Sequence, residues 1–268
     1  MTASLAAVPA WSLTDDAPVL ATPFPAPVTR DWAWGGSTGA GARVCILDSG
    51  VEATHPALGK LASSVAVDDD LAVVEANGED LAGHGTACAG IVRSLAPECE
   101  ITSVRILGSG ARGTGPALLA GLRWAVDQCF DVINLSLSTT KAEFVAALHE
   151  LADGACFGRC VLVASAHNLP VKSYPWQFSS VLSVGSHKLP EPFTFFVNPA
   201  PPVEFFARGV GVPVAQRGGG TMRATGNSFA APHMAGICAL ILAKHPELTV
   251  FQLKTVLSLT SSNQEVNR

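Results

Sequence analysis

Short apolar runs alternate along this chain with longer stretches in which apolar residues recur every three or four positions. The runs are VCIL (44–47), ITSVRIL (101–107), VINLSL (132–137), CVLVASA (160–166) and VLSVG (181–185). Their length, their Val and Ile content and the scarcity of polar alternation predict strands buried on both faces. Between and after them, helices are expected over 84–94, 115–128, 141–153, 229–244 and 249–259. In 115–128, Leu118, Leu122, Ala125 and Val126 share one face at 3.6-residue spacing. Pro116 stands near the start of that stretch, where a missing N–H costs nothing. The stretch 229–244 is apolar nearly all round and predicts a helix through the core, with Pro232 read as a first-turn proline.

Strands alternating with helices imply an α/β fold: a mostly parallel central sheet with helices on both faces. No internal repeat or second composition regime divides the chain, so one domain over 31–268 is expected. Residues 1–30 carry Pro9, Pro18, Pro23, Pro25 and Pro27 and read as an extended lead-in segment. Residues 190–202, with five prolines, read as a surface loop.

Composition narrows the function. The 268 residues are 48% hydrophobic and 15% charged, which suits a sizeable globular core and excludes a disordered or coiled-coil chain. The net charge of −5 argues against a nucleic-acid partner. No apolar run reaches the roughly 18 residues that span a bilayer, so no membrane partner is expected. The first residues lack the basic start of a secretory signal. Seven cysteines, an odd number, fit free thiols in a reducing compartment, which places the expected location in the cytoplasm. Cys156 and Cys160, four apart, can pair, but structural thiols are the expectation.

Three segments hold candidate chemistry. ILDSG (46–50) sets Asp48 just past a strand. GHGTACAG (83–90) sets His84 at the start of a helix. TGNSFAAPHMAG (225–236) sets Ser228 at the start of the apolar helix. Each residue alone has a plain structural reading: a strand-end turn, a core histidine, an N-cap. Together they supply a hydroxyl, a base for it and a carboxylate to orient the base.

These segments, in the order Asp, His, Ser, resemble the motifs of the subtilisin-like serine peptidases, the subtilases. LDSGVEATHPAL, HGTACAG and GNSFAAPHMAG are similar to the family's Asp, His and Ser motifs. LGSGARGTGPALLAGLRWAVDQCFDVINLSLS and VLVASAHN are similar to its substrate-strand and oxyanion segments. The resemblance spans about residues 40–258. It implies Ser228 as nucleophile, His84 as general base and acid, Asp48 as orienting carboxylate and Asn168 as oxyanion donor. Ala111-Arg112-Gly113 and Ser136-Leu137-Ser138 would bind a peptide or protein substrate as an added strand. Ala164 to Leu169, with Ser173 and Tyr174, would form the specificity wall, and Leu137 and Leu169 an apolar first pocket.

Departures from the family pattern matter. Asn227 stands where Thr is usual, and His167 where Gly is usual, with crowding of the first pocket or tilting of Asn168 as the expected effects. The segment after His84 is too short for the calcium loop of many members, and Asp68-Asp69-Asp70 reads as a solvated loop, so no metal or other cofactor is expected. Cys88 sits where a thiol-containing branch, similar to proteinase K, has a cysteine beside its His. The 47 residues before Asp48 read as a mature-like form without a prodomain. The expected function is a serine endopeptidase, an intracellular processing enzyme for leader or precursor peptides. The alternatives are a general degradative peptidase and an inactive pseudo-peptidase that binds a peptide or protein. Oligomeric state is left open.

Overall fold

The computed structural model describes residues 25–265. Most of the proline-rich segment 1–30 therefore lies outside the described residues. Within its end, Val28 is buried, and the Thr29 hydroxyl accepts the Trp32 N–H to cap helix α1 (Arg30–Trp34).

The five apolar runs form β1 (Arg43–Asp48), β4 (Glu100–Arg105), β5 (Val132–Leu135), β6 (Val161–Ser165) and β7 (Leu182–His187). They join β2 (Ser63–Val67), β3 (Val73–Glu75), β8 (Phe195–Val197) and β9 (Phe205–Arg208) in one nine-stranded sheet of order β3-β2-β4-β1-β5-β6-β7-β9-β8. All neighbours pair parallel except the two edges, β3 on β2 and β8 on β9. A separate hairpin pairs β10 (Val212–Ala215) with β11 (Thr221–Ala224).

Helices α2 (His84–Leu95), α3 (Gly115–Asp127), α4 (Val145–Phe157), α5 (Asn227–Lys244), α6 (Val250–Thr260) and α7 (Ser262–Glu265) complete the chain. The pleat divides the core. Val44 and Ile46 of β1 join a cluster with α2, α5 and α6, while Cys45 and Leu47 join one with α3 and α4. Each fully buried aliphatic side chain contributes roughly 1.5–3 kcal/mol. The expected single domain with helices on both faces is present.

Two expectations need correction. The segment 190–202 is not only a surface loop: its FFV triplet forms edge strand β8, anchored by the fully buried Phe195. Prolines suit the ends of an edge strand, which is how a proline-rich stretch hides one. Pro232 is not in the first turn, because α5 begins at Asn227. Its missing N–H would otherwise bond the carbonyl four residues back, on Ser228.

Candidate active site

The candidate residues gather at the carboxyl edge of the sheet. β1 and β5 are neighbours, but the chain leaves β1 towards β2 and leaves β5 towards β6, on opposite sides. Such a switch opens a crevice at the strand ends. Asp48 ends β1, Ser136 to Ser138 follow β5, and Ala166 to Leu169 follow β6. Two helices start at the same edge, α2 with His84 first and α5 with Ser228 second.

Asp48 is fully buried, and its carboxylate accepts the Ser49 N–H at 2.7 Å. Both carboxylate oxygens lie 2.9 Å from His84 Nδ1. An acceptor-only carboxylate there places the imidazole proton on Nδ1 and leaves Nε2 as the acceptor. Burial pulls the His84 pKa down, but the Asp48 charge, Cys88 and the hydrogen bonds from both outweigh it, so the pKa is raised. The Phe229 ring lies 5.3 Å from the imidazole, centroid to centroid.

Close backbone approach makes this pair possible. A side chain at Gly85 would collide with the Gly50 carbonyl, so only glycine lets α2 pack onto the turn after Asp48. Gly83 precedes the helix with φ 82°, a left-handed conformation that favours glycine.

Asp80, which sequence reasoning missed, ties the two segments together. Its Oδ1 accepts the Ser49 hydroxyl at 2.7 Å and the Gly83 N–H at 2.7 Å. Its Oδ2 accepts the Thr86 N–H at 2.8 Å and hydroxyl at 2.6 Å. Burial raises the Asp80 pKa, and these hydrogen bonds more than offset it, leaving it lowered. The Ser49 hydroxyl oxygen in turn accepts the Gly85 N–H at 3.1 Å. The signal was an Asp three residues before a Gly-His pair, which is too common to single out.

Ser228 is held through its carbonyl. Pro232 cannot donate to that oxygen, and Ser136 Oγ donates instead at 2.8 Å, with Cys88 Sγ at 3.6 Å. Asn134 Nδ2 donates to Ser136 Oγ at 3.0 Å. Ser228, His84 and Asn168 line one cleft of about 260 Å³, together with Ala111 and Ser136 to Ser138. No hydrogen bond joins Ser228 Oγ to His84 among the described residues; such contacts are often open before substrate binds. Asn168 Oδ1 accepts the Asn227 N–H at 2.9 Å. The Ser228 N–H is one of the groups that a helix start leaves without an intrahelical partner.

Not every expected wall residue reaches this cleft. Leu137 lines it, but Leu169 lines a second cavity behind the 166–172 segment. The apolar first pocket therefore lacks Leu169, whose side chain is 63% exposed. Ser173 is buried and accepts Trp176 Nε1 at 2.8 Å, and Tyr174 bridges Thr139. Both stiffen the wall from behind. Arg112 and Gly113 lie beyond the cleft and line a separate cavity near Asp68 and Asp69. His167 lines both the cleft and the second cavity, and its Nδ1 lies 3.0 Å from the Leu169 N–H nitrogen and 3.2 Å from the Leu169 carbonyl oxygen. Lys172 Nζ lies 5.8 Å from the centre of the Tyr174 ring.

Asp68 Oδ1 accepts the N–H groups of Asp70 and Ala72 and so folds its own turn. Among the described residues, Asp48, His84 and Cys88 alone bring three metal-ligating side chains together. All seven cysteines are free, so Cys156 and Cys160 do not pair.

A family model described as Peptidase_S8, subtilase family, matches residues 39–268. The chain belongs to the subtilase family. Subtilisin DY of Bacillus licheniformis is 31% identical over 243 residues, covering 85% of this chain and 86% of its own length. Subtilisin E of Bacillus subtilis (strain 168) is 29% identical over 242 residues, with 62% of its length covered. Among solved structures, a cold-adapted subtilisin-like serine proteinase superposes with a TM-score of 0.71 at 27% identity. That match covers 86% of this subtilase and 87% of the other chain. This subtilase is therefore a serine endopeptidase acting on peptide or protein substrates. No helix of the described residues is long and apolar enough to cross a membrane.

Proposed function

We propose that this subtilase cuts peptide bonds by acyl transfer through Ser228. The observation that carries the reading is one cleft holding Ser228, Asn168 and a His84 ring locked to buried Asp48. The Ser228 hydroxyl attacks the scissile carbonyl and gives its proton to His84 Nε2. The new C–O bond forms as the carbonyl oxygen takes up negative charge. Asn168 Nδ2 and the Ser228 N–H donate to that oxyanion, in an oxyanion hole supported by the α5 dipole. His84 then protonates the leaving nitrogen as the C–N bond breaks. Water repeats the sequence in reverse and frees the acid product. Asp48 holds the ring and stabilises the imidazolium without taking a proton. Ser136-Leu137-Ser138 line the cleft and offer a backbone edge for the substrate. The second expected edge is interrupted, because Ala111 sits in a 3-10 turn at φ 53° and Arg112 and Gly113 lie beyond the cleft.

The biological role we infer is processing of specific leader or precursor peptides in the cytoplasm. Seven free thiols suit a reducing compartment. Digestion of casein beside a panel of defined precursor peptides, with Ser228→Ala as control, tests the role. One or two cuts in a precursor with casein intact supports it. Broad casein cleavage indicates a degradative enzyme, and binding without any cut indicates a pseudo-peptidase.

A further inference from the structure

We propose that His167 and Asn227 are positioning residues that aim the Asn168 amide at the oxyanion. This rests on the reading of Asn168 as an oxyanion donor. The two residues are also the two departures from the usual family motifs, and they meet in space.

The 166–172 segment is poorly supported by packing. On one side lies the active cleft, and on the other a cavity of about 510 Å³; Ala166 and His167 line both. Leu169 is 63% and Val171 39% exposed, so neither side chain anchors the segment. Hydrogen bonds must hold it. Asn227 supplies two of them. Its N–H donates to Asn168 Oδ1 at 2.9 Å, and its Nδ2 donates to the His167 carbonyl at 3.3 Å.

The first bond sets which way the Asn168 amide faces. With Oδ1 held by the Asn227 N–H, Nδ2 is the end of the amide left free to donate into the cleft that Asn168 and Ser228 both line. The carboxamide and the nucleophile meet over Gly226: a methyl group placed there would be 3.2 Å from Ser228 Oγ, 3.4 Å from Asn168 Nδ2 and 3.6 Å from Asn168 Oδ1. The second bond ties the residue before Asn168 to the residue before Ser228. His167 adds a third across Asn168: with the ring proton on Nε2, its Nδ1 accepts the Leu169 N–H at 3.0 Å, the shorter of its two contacts with Leu169, whose carbonyl lies at 3.2 Å. A glycine at 167 has no such acceptor, and a threonine at 227 ends one bond short of the carboxamide.

The test uses p-nitrophenyl butyrate hydrolysis and the rate of Ser228 labelling by a fluorophosphonate, so it needs no natural substrate. His167→Gly and Asn227→Ala are each expected to lower kcat about 10-fold at unchanged KM, a fraction of the roughly 10²–10³ that losing a whole oxyanion donor costs. His167→Asn restores kcat to within about threefold, because its Oδ1 accepts the same N–H two residues on. In an Asn168→Ala background both effects vanish, since no amide is left to aim. Thermal midpoints are recorded to exclude a folding defect. Equal losses with and without Asn168, a change confined to KM, or His167→Asn as slow as His167→Gly would each overturn the proposal. A native enzyme that neither hydrolyses the ester nor labels at Ser228 fails at the earlier reading, which separates the two.

Discussion

Replacing Ser136 with alanine removes two hydrogen bonds from beneath the nucleophile. The Ser228 carbonyl loses its 2.8 Å donor and keeps only Cys88 Sγ at 3.6 Å. Pro232 prevents the helix from supplying a substitute. Asn134 Nδ2 loses its acceptor as well, in a residue whose Oδ1 is already unpartnered and buried. One lost hydrogen bond costs about 1 kcal/mol, and a buried polar group left unsatisfied about 1–3 kcal/mol more. A loss near 3 kcal/mol follows, or roughly 6–12 °C in Tm at about 2–4 °C per kcal/mol. Stability is read in a Ser228→Ala background, which keeps the carbonyl and stops self-digestion. Turnover is read in the single variant, where the first turn of α5 relaxes and moves Ser228 Oγ. A shift of about 1 Å costs on the order of 10²-fold. If Ser136→Ala changes stability by less than about 0.5 kcal/mol and leaves kcat intact, the carbonyl latch has no energetic weight.

Activity should rise with pH, because only the neutral imidazole accepts the Ser228 proton. The raised His84 pKa puts the limb above the ordinary value of about 6.5. The same shift stabilises the fold below that value and is lost as pH rises through the folded pKa. A flat kcat/KM profile from about pH 5 to 9 contradicts His84 as the base. The lowered Asp80 pKa acts in the opposite sense, stabilising above about 3.9 and lost as pH falls through its folded value. Asp80→Asn should cost about 2–4 kcal/mol in urea unfolding at neutral pH; an unchanged midpoint removes Asp80 from the support of the site. Cys88 Sγ lies 3.9 Å from His84 Nδ1, so Hg²⁺ should inhibit by drawing the imidazole off Asp48. Equal inhibition of Cys88→Ser defeats that explanation.

The central fold was legible because strands buried on both faces show as unbroken Val- and Ile-rich runs. β2, β3, β8 and β9 were not, since strands at or next to the two edges of the sheet are short and only partly buried and carry no such run. Asp48, His84, Asn168 and Ser228 stood out because their motifs are local, and the fold brings them to one edge. Asp80, Ser136 Oγ and the Pro232 gap did not, because their meaning lies in which buried donor meets which acceptor across distant segments. Leu169 was misplaced for the same reason. Residue order puts it beside Asn168, while the turn of the backbone sends its side chain to the opposite side of the wall.

The most direct measurement is intact-mass analysis after fluorophosphonate treatment of the native protein, Ser228→Ala and His84→Ala. One adduct on the native protein, mapped to Ser228, with none on Ser228→Ala and greatly slowed labelling of His84→Ala, is the expected result. An adduct that persists in Ser228→Ala, or a native protein that stays unlabelled, would contradict an activated serine in this cleft.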